Sequence, residues 1–521
     1  MAGPGLRVRL GRQGTAPAGE TRLRAGSPGR WAIIKTAKAT YRAVRAVVWV
    51  SLSLSAGWVT ASTPPPKPLP PLPSERQLQW HKMEMNAFVH FGINTFTDRE
   101  WGTGQEDPAL FNPTSLDCRQ WVRVLKSAGF RGVILTAKHH DGFCLWPSRH
   151  TDHSVKASPW RSGKGDVVGE LASACREAGL KFGIYLSPWD RHEPTYGDSP
   201  RYNEFYKAQL RELLTQYGEI FEVWFDGACG EGPNGKRQVY DWDGYWRLVR
   251  ELQPNAVIFS DGGPDVRWVG NERGFADETN WPFLRSGVVF PGYPRYQELQ
   301  QGHPDGDAYV PAEADVSIRP GWFYHSSEDG RVKSLAELVE IYFGSVGRGA
   351  NLLLNVPPDP RGLIHENDAK RLAELGTYLQ RAFHDNLALR AKVSASNVRG
   401  GAREFSPAQL ADGEFETYWA TDDSVLRAWV DLEFDPPVKL NCVGLQEMVR
   451  LGQRIRSFQV LGYRAGEGVR LAKGTTIGYK RLLRFARTEV DRLRIEILDS
   501  RACPVLAEIT VYDLPPLEEA P

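Results

Sequence analysis

The feature of this sequence that most restricts its fold is a repeated unit of short apolar strand, loop, amphipathic helix and glycine. The unit begins near Trp80, and successive strand starts are roughly 35–50 residues apart, which is typical of βα units. The strands lack polar alternation, as expected for parallel strands buried on both faces. The predicted strands are Asn86–His90, Gly132–Ala137, Lys181–Leu186, Phe221–Phe225, Ala256–Ser260 and Asn351–Val356, with a weaker seventh near Val310–Ile318.

Amphipathic segments between these strands predict the helices of the repeat. They cover Leu116–Ala128, Val167–Ala178, Glu204–Tyr217, Tyr245–Leu252 and Asp368–Phe383. Three of the segments are followed by Gly129, Gly179 or Gly218, and glycine readily adopts the left-handed conformation that ends a helix. The pattern predicts an α/β fold, a (β/α)8-like barrel with one or two degenerate units. A doubly wound parallel sheet is the alternative.

The character of the sequence changes after Asn386, where short segments of alternating polarity replace the βα units. These segments are Ala428–Phe434, Asn441–Glu447, Ser457–Tyr463, Arg481–Phe485, Arg492–Leu498 and Glu508–Tyr512. Turn residues separate them, which predicts an antiparallel β-sandwich. We therefore predict a barrel over residues 75–385 and a sandwich over residues 386–515. Asp412-Gly413, Thr417-Tyr-Trp-Ala-Thr and Gly452-Gln-Arg-Ile-Arg-Ser-Phe resemble discoidin-like carbohydrate-binding sandwiches.

Residues 1–62 have the composition of a signal or targeting segment rather than of a folded domain. Residues 1–45 contain eight Arg, two Lys and one acidic residue, and the apolar stretch Ala46–Val59 follows. This order is typical of a secretory signal, although an Arg-rich, acid-poor segment also fits an organellar transit peptide. The apolar stretch is too short and too rich in serine to span a bilayer. We predict a secreted protein of the extracellular space or apoplast, with an organelle as the alternative, and a Pro-rich linker over residues 63–74.

Charge and cysteine content exclude several kinds of partner and site. The chain has 64 Lys and Arg against 63 Asp and Glu, and this net charge of +1 predicts neither a nucleic-acid nor a membrane partner. None of the six cysteines forms a C-x-x-C pair, so neither a zinc knuckle nor a redox motif is predicted. Cys442 and Cys503 could form a disulfide or remain free thiols. No cofactor is predicted.

Polar and aromatic residues follow five of the predicted strands, which is where the functional groups of a parallel barrel lie. The segments are Val89-His90-Phe-Gly92, Thr136-Ala-Lys-His-His-Asp-Gly-Phe143, Tyr185-Leu-Ser-Pro-Trp-Asp-Arg-His192, Val223-Trp-Phe-Asp-Gly227 and Phe259-Ser-Asp-Gly-Gly263. Because the same residue types recur at the same place in successive units, the sequence predicts one shared pocket.

Metal, serine and carboxylate chemistry can each be considered for such a pocket. A metal site could use His90, His139, His140 and Asp226, but the side chains of adjacent histidines diverge unless the strand end is distorted. No H-x-H or H-E-x-x-H spacing is present, and we predict no metal. Serine chemistry lacks a G-x-S-x-G turn. A carboxylate pair fits better, with Asp226 as the nucleophile of a glycosidase.

These motifs also carry a resemblance to a known family. His90-Phe-Gly, Lys138-His-His-Asp-Gly-Phe143 and Trp224-Phe-Asp-Gly resemble the α-L-fucosidases of glycoside hydrolase family 29. The similarity to the plant α-1,3/1,4-fucosidase branch rests on Arg267-Trp-Val-Gly-Asn-Glu272, Pro311-Ala-Glu-Ala-Asp-Val-Ser-Ile-Arg-Pro-Gly-Trp322 and Asn351-Leu-Leu-Leu-Asn-Val-Pro-Pro358. The resemblance extends over both predicted domains.

The resemblance implies a retaining mechanism in which Asp226 is the nucleophile and Glu272 is the acid/base. The residues that it implies for sugar binding are His90, His139, His140, Trp224, Tyr185, Trp189 and Trp101. Glu278 is a competing candidate for the acid/base.

Two further carboxylates have less direct roles in this interpretation. Glu313 is either a carboxylate that supports the substrate site from behind or a charge paired with Arg319. Asp141 is expected to cap the turn at Gly142 rather than to contact substrate.

The implied activity is hydrolysis of terminal α-1,3/1,4-linked L-fucose from Lewis-type oligosaccharides and N-glycans through a covalent fucosyl-enzyme. A non-catalytic carbohydrate-binding protein with a relict barrel is one alternative, and a metal-dependent hydrolase is another. The sequence leaves linkage preference and oligomeric state open.

Overall fold

The computed structural model describes residues 63–517, and the first part of this region forms a closed parallel barrel. Its strands are β1 Met85–Val89, β2 Gly132–Lys138, β3 Lys181–Leu186, β4 Glu222–Trp224, β5 Val257–Ser260, β6 Val266–Trp268, β7 Phe283–Leu284, β8 Ala308–Tyr309, β9 Ala312–Ser317 and β10 Asn351–Asn355. The barrel closes in the order β1-β10-β9-β6-β5-β4-β3-β2, while β7 and β8 pair with each other. The predicted barrel is confirmed. The doubly wound alternative is wrong, because β1 pairs in parallel with both β2 and β10.

One βα unit is degenerate, as the sequence predicted, and it contains the strand that the sequence pattern does not reveal. Strand β6 is three residues long and follows β5 after a loop over residues 261–265 that has no helix. Strand β4 is equally short but lies within the mostly apolar segment Phe221–Phe225, whereas Asp265 precedes β6 and Arg267 lies within it, so β6 has no apolar run from which it could be recognised. The weaker seventh prediction near Val310–Ile318 is confirmed as β9.

The helices of the barrel lie close to their predicted positions. In the described region the α-helices are α1 Glu75–His81, α2 Ile93–Thr97, α3 Cys118–Ser127, α4 Val167–Ala178, α5 Ser199–Gln216, α6 Trp242–Leu252, α7 Tyr296–Gln301, α8 Leu335–Gly344 and α9 Glu366–Ala382. Helix α5 begins before the predicted Glu204 because Pro200 in its first turn favours helix initiation. Gly129, Gly179 and Gly218 have positive φ angles, as expected for residues that end a helix.

Large aromatic side chains form a buried cluster among the barrel strands. Trp80 on α1 and Trp224 on β4 belong to this cluster with Phe88, Tyr185 and Phe259. The rings of Trp224 and Phe259 stack with their centroids 4.1 Å apart. Because burial of a large apolar side chain contributes about 1.5–3 kcal/mol, this cluster holds the strand ends of the site in place.

The second part of the described region is an antiparallel sheet domain with its own apolar core. Its strands are β11 Lys392–Ala395, β12 Trp419–Ala420, β13 Ala428–Glu447, β14 Ile455–Arg464, β15 Glu467–Gly474, β16 Arg481–Ser500 and β17 Val505–Tyr512. Strand β13 spans two of the predicted strands, Ala428–Phe434 and Asn441–Glu447. Strand β16 likewise spans Arg481–Phe485 and Arg492–Leu498. The register of β13 shifts between Glu433 and Val438, where prolines cannot donate ladder hydrogen bonds.

Residues of the predicted linker over 63–74 contact the sheet domain instead of crossing open solvent. The Leu69 amide donates to the Leu451 carbonyl oxygen at 3.0 Å. The Arg399 guanidinium donates to the Pro64 carbonyl, and the Arg454 guanidinium to the Lys67 carbonyl at 2.6 Å. The segment is therefore anchored by its backbone.

Three further sequence predictions concern the targeting segment, membrane spans and a disulfide. The targeting segment over residues 1–62 lies outside the described residues. Within residues 63–517, no helix is long and apolar enough to cross a membrane. Cys442 and Cys503 are both free and buried, so the disulfide considered for them does not form.

Candidate active site

A cavity of about 170 Å³ lies at the carboxyl-terminal end of the barrel strands. Its walls come from several βα loops, which is how a barrel brings distant parts of a chain together. The lining residues are Phe88, His90, Glu100, Trp101, His139, His140, Tyr185, Trp224, Asp226, Ala228, Glu272, Asp315 and Trp322. The structure thus brings together both predicted catalytic carboxylates and six of the eight predicted sugar-binding residues. Trp189 and Glu313 lie behind the cavity wall.

Asp226 follows β4 and is held by contacts to both of its carboxylate oxygens. Its Oδ1 accepts a hydrogen bond from the Ala228 amide at 2.7 Å. Its Oδ2 accepts one from the Tyr185 hydroxyl at 3.1 Å and lies 3.8 Å from His140 Nε2. With a quarter of its side chain exposed, the carboxylate is oriented by donors and still accessible from the cavity.

The two adjacent histidines both reach the cavity, because the end of β2 is distorted. The pairing of β2 with β3 shifts register between Thr136 and Lys138, directly before the histidines. The rings of His139 and His140 consequently lie with centroids 4.1 Å apart instead of on opposite faces. The sequence predicts that the two side chains diverge unless the strand end is distorted, and the structure shows that distortion. In the region from residue 63 to 517, no group of three or more His, Cys, Asp or Glu is arranged to hold a metal ion.

Each histidine is buried, and burial lowers its pKa. The pKa of His90 falls to about 3 for this reason, and that of His139 lies well below its usual value. Partners of the ring nitrogens set the orientation of two of the rings. His90 Nδ1 lies 2.8 Å from Asn355 Oδ1, and His140 Nδ1 lies 2.7 Å from Ser187 Oγ. The remaining ring nitrogens of these two neutral imidazoles can bind hydroxyl groups of a ligand.

Trp224 is connected to a pair of buried carboxyl groups beneath the cavity. Its indole N–H donates to Glu313 Oε1 at 3.0 Å, and the indole of Trp80 donates to Glu222 Oε2 at 3.0 Å. The second oxygen of each carboxyl group is buried without a hydrogen-bond partner. Burial raises the pKa of both groups, to about 8 for Glu222, and the charge of Glu222 raises that of Glu313 further.

These contacts decide between the two interpretations of Glu313. The guanidinium of Arg319 pairs with Asp368 and Asp329, so its pairing with Glu313 is wrong. Glu313 instead fixes the indole of Trp224 from behind the cavity wall, and it does not line the cavity itself.

Glu272 lies at the mouth of the cavity, on the loop that follows β6. Its Oε2 accepts a hydrogen bond from the Trp322 indole N–H at 3.4 Å. Desolvation raises the pKa of Glu272, and the negative charges of Asp226 and Glu100 raise it further. The loop needs Gly270, because φ there is +82° and a Cβ atom would collide with the Tyr296 carbonyl oxygen.

The competing carboxylate Glu278 lies elsewhere. Its side chain is 73% exposed and 4.0 Å from Arg348, while its carbonyl oxygen accepts from Arg481 and Thr475 of the sheet domain. It does not line the cavity, which contradicts its assignment as the acid/base. Asp141 behaves as expected, since its Oδ1 accepts from the Phe143 amide across the Gly142 turn.

Two tryptophans pack against His140, and one of them, Trp101, lines the cavity. The Trp101 ring is 57% exposed, and its centroid lies 5.8 Å from that of His140. Trp189 is buried, its centroid lies 4.8 Å from His140, and its indole donates to the Glu231 carbonyl at 3.0 Å. The two indole rings meet edge to face at 5.5 Å. Trp101 presents an apolar face to the cavity that suits the C–H face of a sugar, and Trp189 packs behind it.

Comparison with known proteins identifies the family. A family model described as alpha-L-fucosidase matches residues 67–382. Alpha-L-fucosidase 1 of Arabidopsis thaliana is 48% identical over 467 residues, which are 89% of this chain and 92% of that protein. The chain belongs to the α-L-fucosidase family. It is therefore a glycoside hydrolase, and the predicted resemblance to the plant-type enzymes is confirmed.

Solved structures of the family agree with this assignment. The fucosidase of glycoside hydrolase family 29 from Ruminococcus gnavus in complex with fucose has a TM-score of 0.80 at 34% identity, covering 88% of this chain and 97% of that one. A glycoside hydrolase 29 family member from an unknown rumen bacterium has a TM-score of 0.77 at 42% identity, covering 87% and 79% respectively.

Sequence reasoning missed four polar or aromatic groups of the fucosidase cavity, namely Phe88, Glu100, Asp315 and Trp322. Asp315 on β9 accepts from the Trp268 indole at 2.7 Å, and burial raises its pKa well above the usual value. Glu100 follows α2 and Trp322 lies in the loop after β9, and neither residue adjoins the end of a strand. The signal for Asp315 is the alternation of Glu313, Asp315 and Ser317 with apolar residues, which in a buried strand indicates a polar face toward the barrel interior.

Proposed function

We propose that this α-L-fucosidase is a retaining exo-glycosidase that removes terminal α-1,3/1,4-linked L-fucose from Lewis-type oligosaccharides and N-glycans. The Asp226 carboxylate attacks the anomeric carbon and forms a fucosyl-enzyme, while Glu272 protonates the departing oxygen. Glu272 then takes a proton from the water that hydrolyses this intermediate. The observation that carries the proposal is that Asp226 and Glu272, from separate βα loops, line one small cavity.

The contacts of Asp226 support its role as nucleophile. Three groups donate to or approach its carboxylate, namely the Ala228 amide, the Tyr185 hydroxyl and the His140 ring. These contacts fix the direction of the attacking oxygen, so little reorganisation is needed when the bond forms.

The environment of Glu272 supports its role as acid/base. Because its pKa is raised by desolvation and by the charges of Asp226 and Glu100, a larger fraction carries a proton near neutral pH. Formation of the glycosyl-enzyme neutralises Asp226 and removes one of these charges. The pKa of Glu272 then falls, which suits its second step as a base.

The neutral histidines support recognition of the sugar rather than of a metal. His90 and His140 each hold one ring nitrogen on a protein partner and leave the other toward the cavity. Such nitrogens can donate to or accept from fucose hydroxyls, and Trp224 and Trp101 offer apolar faces beside them. We also assign substrate contacts to Tyr185 and His139, because both line the cavity.

Release of fucose from defined substrates tests the proposal. The enzyme is incubated with a Lewis-a trisaccharide, with a matching α-1,2-linked fucoside and with an aryl α-fucoside, and free fucose is assayed. We expect fast release from the Lewis-a trisaccharide and slow release from the α-1,2-linked compound. Equal rates on both linkages would contradict the proposed specificity, and no release from the Lewis-a substrate would contradict the proposed substrate class.

Two variants test the roles of the carboxylates. Asp226→Ala should lose several orders of magnitude in kcat with an unchanged circular dichroism spectrum, because the covalent path is lost. Glu272→Gly should recover activity toward an activated fucoside when azide is added, and the product should be a fucosyl azide of retained configuration. Glu278→Gly is the matched control, since this exposed carboxylate does not line the cavity. Rescue of the control alone, or an inverted product, would contradict the assignment of Glu272.

We also propose that the enzyme is secreted to the extracellular space or apoplast. The support is the order of a basic segment, an apolar stretch and small residues in the first 62 positions. A fluorescent fusion to residues 1–62 should be exported. Import of this fusion into an organelle would instead favour a transit peptide.

A further inference from the structure

The loop after β9 brings two aromatic rings to the site and holds the proposed acid/base. The Trp322 indole N–H donates to Glu272 Oε2, and the Trp322 ring lies 5.1 Å from the His90 ring. The Phe323 ring lies 5.4 Å from His90 and 5.0 Å from His139. The position of this loop therefore determines the direction of the Glu272 carboxyl group.

Glu100, at the cavity wall, fixes the backbone of this loop. Its Oε2 accepts from the Trp322 amide at 2.8 Å, and its Oε1 accepts from the Phe323 amide at 3.2 Å. A displacement of the Glu100 carboxylate would release both amides at once. Nothing else in residues 63–517 accepts a hydrogen bond from either amide.

His325 lies between two carboxylates and holds Glu100. Its Nε2 lies 2.7 Å from Glu100 Oε1, and its Nδ1 lies 2.6 Å from Asp98 Oδ1. Carboxylate oxygens only accept, and a neutral imidazole has one N–H, so donation through both nitrogens requires the imidazolium form. Burial alone would lower the pKa of His325, but the hydrogen bonds to Asp98 and Glu100 outweigh it and raise the pKa.

Other charged groups lie on the elements around His325, but they do not cancel the effect of Asp98 and Glu100 on its pKa. They are Arg99, Glu106, Glu272, Arg319, Glu328, Asp329 and His365. Arg319, which donates to the His325 carbonyl at 3.4 Å, has its charge matched by Asp368 and Asp329. Arg99 approaches Glu106 at 3.9 Å. The field at the His325 ring is therefore dominated by Asp98 and Glu100.

We propose that protonated His325 is a positioning residue for the acid/base. It holds Glu100, Glu100 holds the Trp322 backbone, and the Trp322 indole directs Glu272 toward the departing oxygen. This inference rests on the proposed role of Glu272. When the His325 proton is lost as pH rises through its pKa, Asp98 and Glu100 no longer have a common donor. The loop then loosens and the acid/base loses its orientation.

His325→Gln tests the proposal in the full-length enzyme, with His150→Gln as the matched control. His150 also approaches a carboxylate, Glu212 at 3.7 Å, and neither of these residues lines the cavity. We expect His325→Gln to lower kcat on the Lewis-a trisaccharide about tenfold while KM changes less than about threefold. The loss should be much smaller on an aryl fucoside, whose good leaving group needs little protonation. The alkaline limb of the wild-type kcat–pH profile should shift or vanish in this variant only.

Two results would overturn the inference. One is an equal loss on both substrates with an unchanged pH profile. The other is a histidine NMR titration of the wild-type enzyme, labelled with ¹⁵N in the imidazole ring, in which His325 carries a single ring proton near neutral pH. This second measurement requires no variant to fold. The azide experiment separates this inference from the proposed function. If Glu272 is not the acid/base, azide does not rescue Glu272→Gly, whatever the result for His325→Gln.

Discussion

Replacement of Glu313 tests whether the buried carboxyl pair supports Trp224. In Glu313→Ala the indole N–H of Trp224 loses its 3.0 Å partner in a fully buried place, which costs about 1–3 kcal/mol. The truncation also removes a completely buried side chain, which costs about 2 kcal/mol or more. We expect the free energy of unfolding to fall by about 3–5 kcal/mol near pH 6. Because Trp224 lines the cavity, kcat/KM should fall as well.

Glu313→Gln is the matched variant for this prediction. The amide oxygen can accept from Trp224, and the amide N–H can donate to the unpartnered oxygen of Glu222. In the wild type, a proton on one of the two neighbouring carboxyl groups can fill the same position. We therefore expect Glu313→Gln to cost less than about 1 kcal/mol near pH 6 and to keep most of its activity.

The contribution of this carboxyl pair to the free energy of unfolding depends on pH. Burial raises the pKa of Glu222 to about 8, above its value in the unfolded chain, and raises that of Glu313 as well. The stability that the protonated pair contributes is present at acid pH and is lost as pH rises through the folded pKa values. Urea unfolding near pH 6 and near pH 9 should show that the wild type loses more stability than Glu313→Gln. Equal destabilisation by Ala and Gln near pH 6, or a difference between wild type and Gln that does not change with pH, would refute this reasoning.

Three further substitutions address the supports of the site. Gly270→Ala should move the Glu272 loop, because the new Cβ collides with the Tyr296 carbonyl, and we expect kcat to fall at least tenfold while the melting temperature changes little. An unchanged kcat would contradict this. Lys138→Met should lower the free energy of unfolding in urea by about 3–5 kcal/mol, because the buried Asp190 loses its 2.8 Å partner. A loss under about 1 kcal/mol would contradict this prediction. Ser187→Ala frees Nδ1 of His140, and KM should rise more than kcat falls, whereas a loss confined to kcat would argue against a role in binding sugar.

The parallel barrel could be predicted because its signals are local. Apolar strands, amphipathic helices and helix-ending glycines each depend on a few neighbouring residues. Strand β6 could not be predicted in this way, because Arg267 at its centre leaves no apolar run and its partners, β5 and β9, are set by closure of the barrel. Strand β13 is a single strand across Pro436, where the sequence indicated a break. Its pairing with β16, which is distant along the chain, continues on both sides of the proline.

The candidate site was predictable where its residues follow strands and not where loops bring them in. The histidines, Asp226 and Trp224 follow β1, β2 and β4 or end them, and all reach the cavity. Glu100 and Trp322 reach it only through the tertiary contact between their two loops, at 2.8 Å, which no spacing in the sequence indicates. The register shift at the end of β2 could not be predicted from the sequence either, because it depends on the pairing of β2 with β3.

The most direct test of the central claim is to trap the covalent intermediate. A 2-deoxy-2-fluoro-L-fucosyl fluoride has a good leaving group, and its fluorine slows hydrolysis of the fucosyl-enzyme, so the adduct should accumulate. Mass spectrometry of the intact enzyme should show one added fluorofucosyl group, and a protease digest should locate it on the peptide that contains Asp226. An adduct on another carboxylate, or complete turnover with inverted configuration and no adduct, would contradict a retaining mechanism through Asp226.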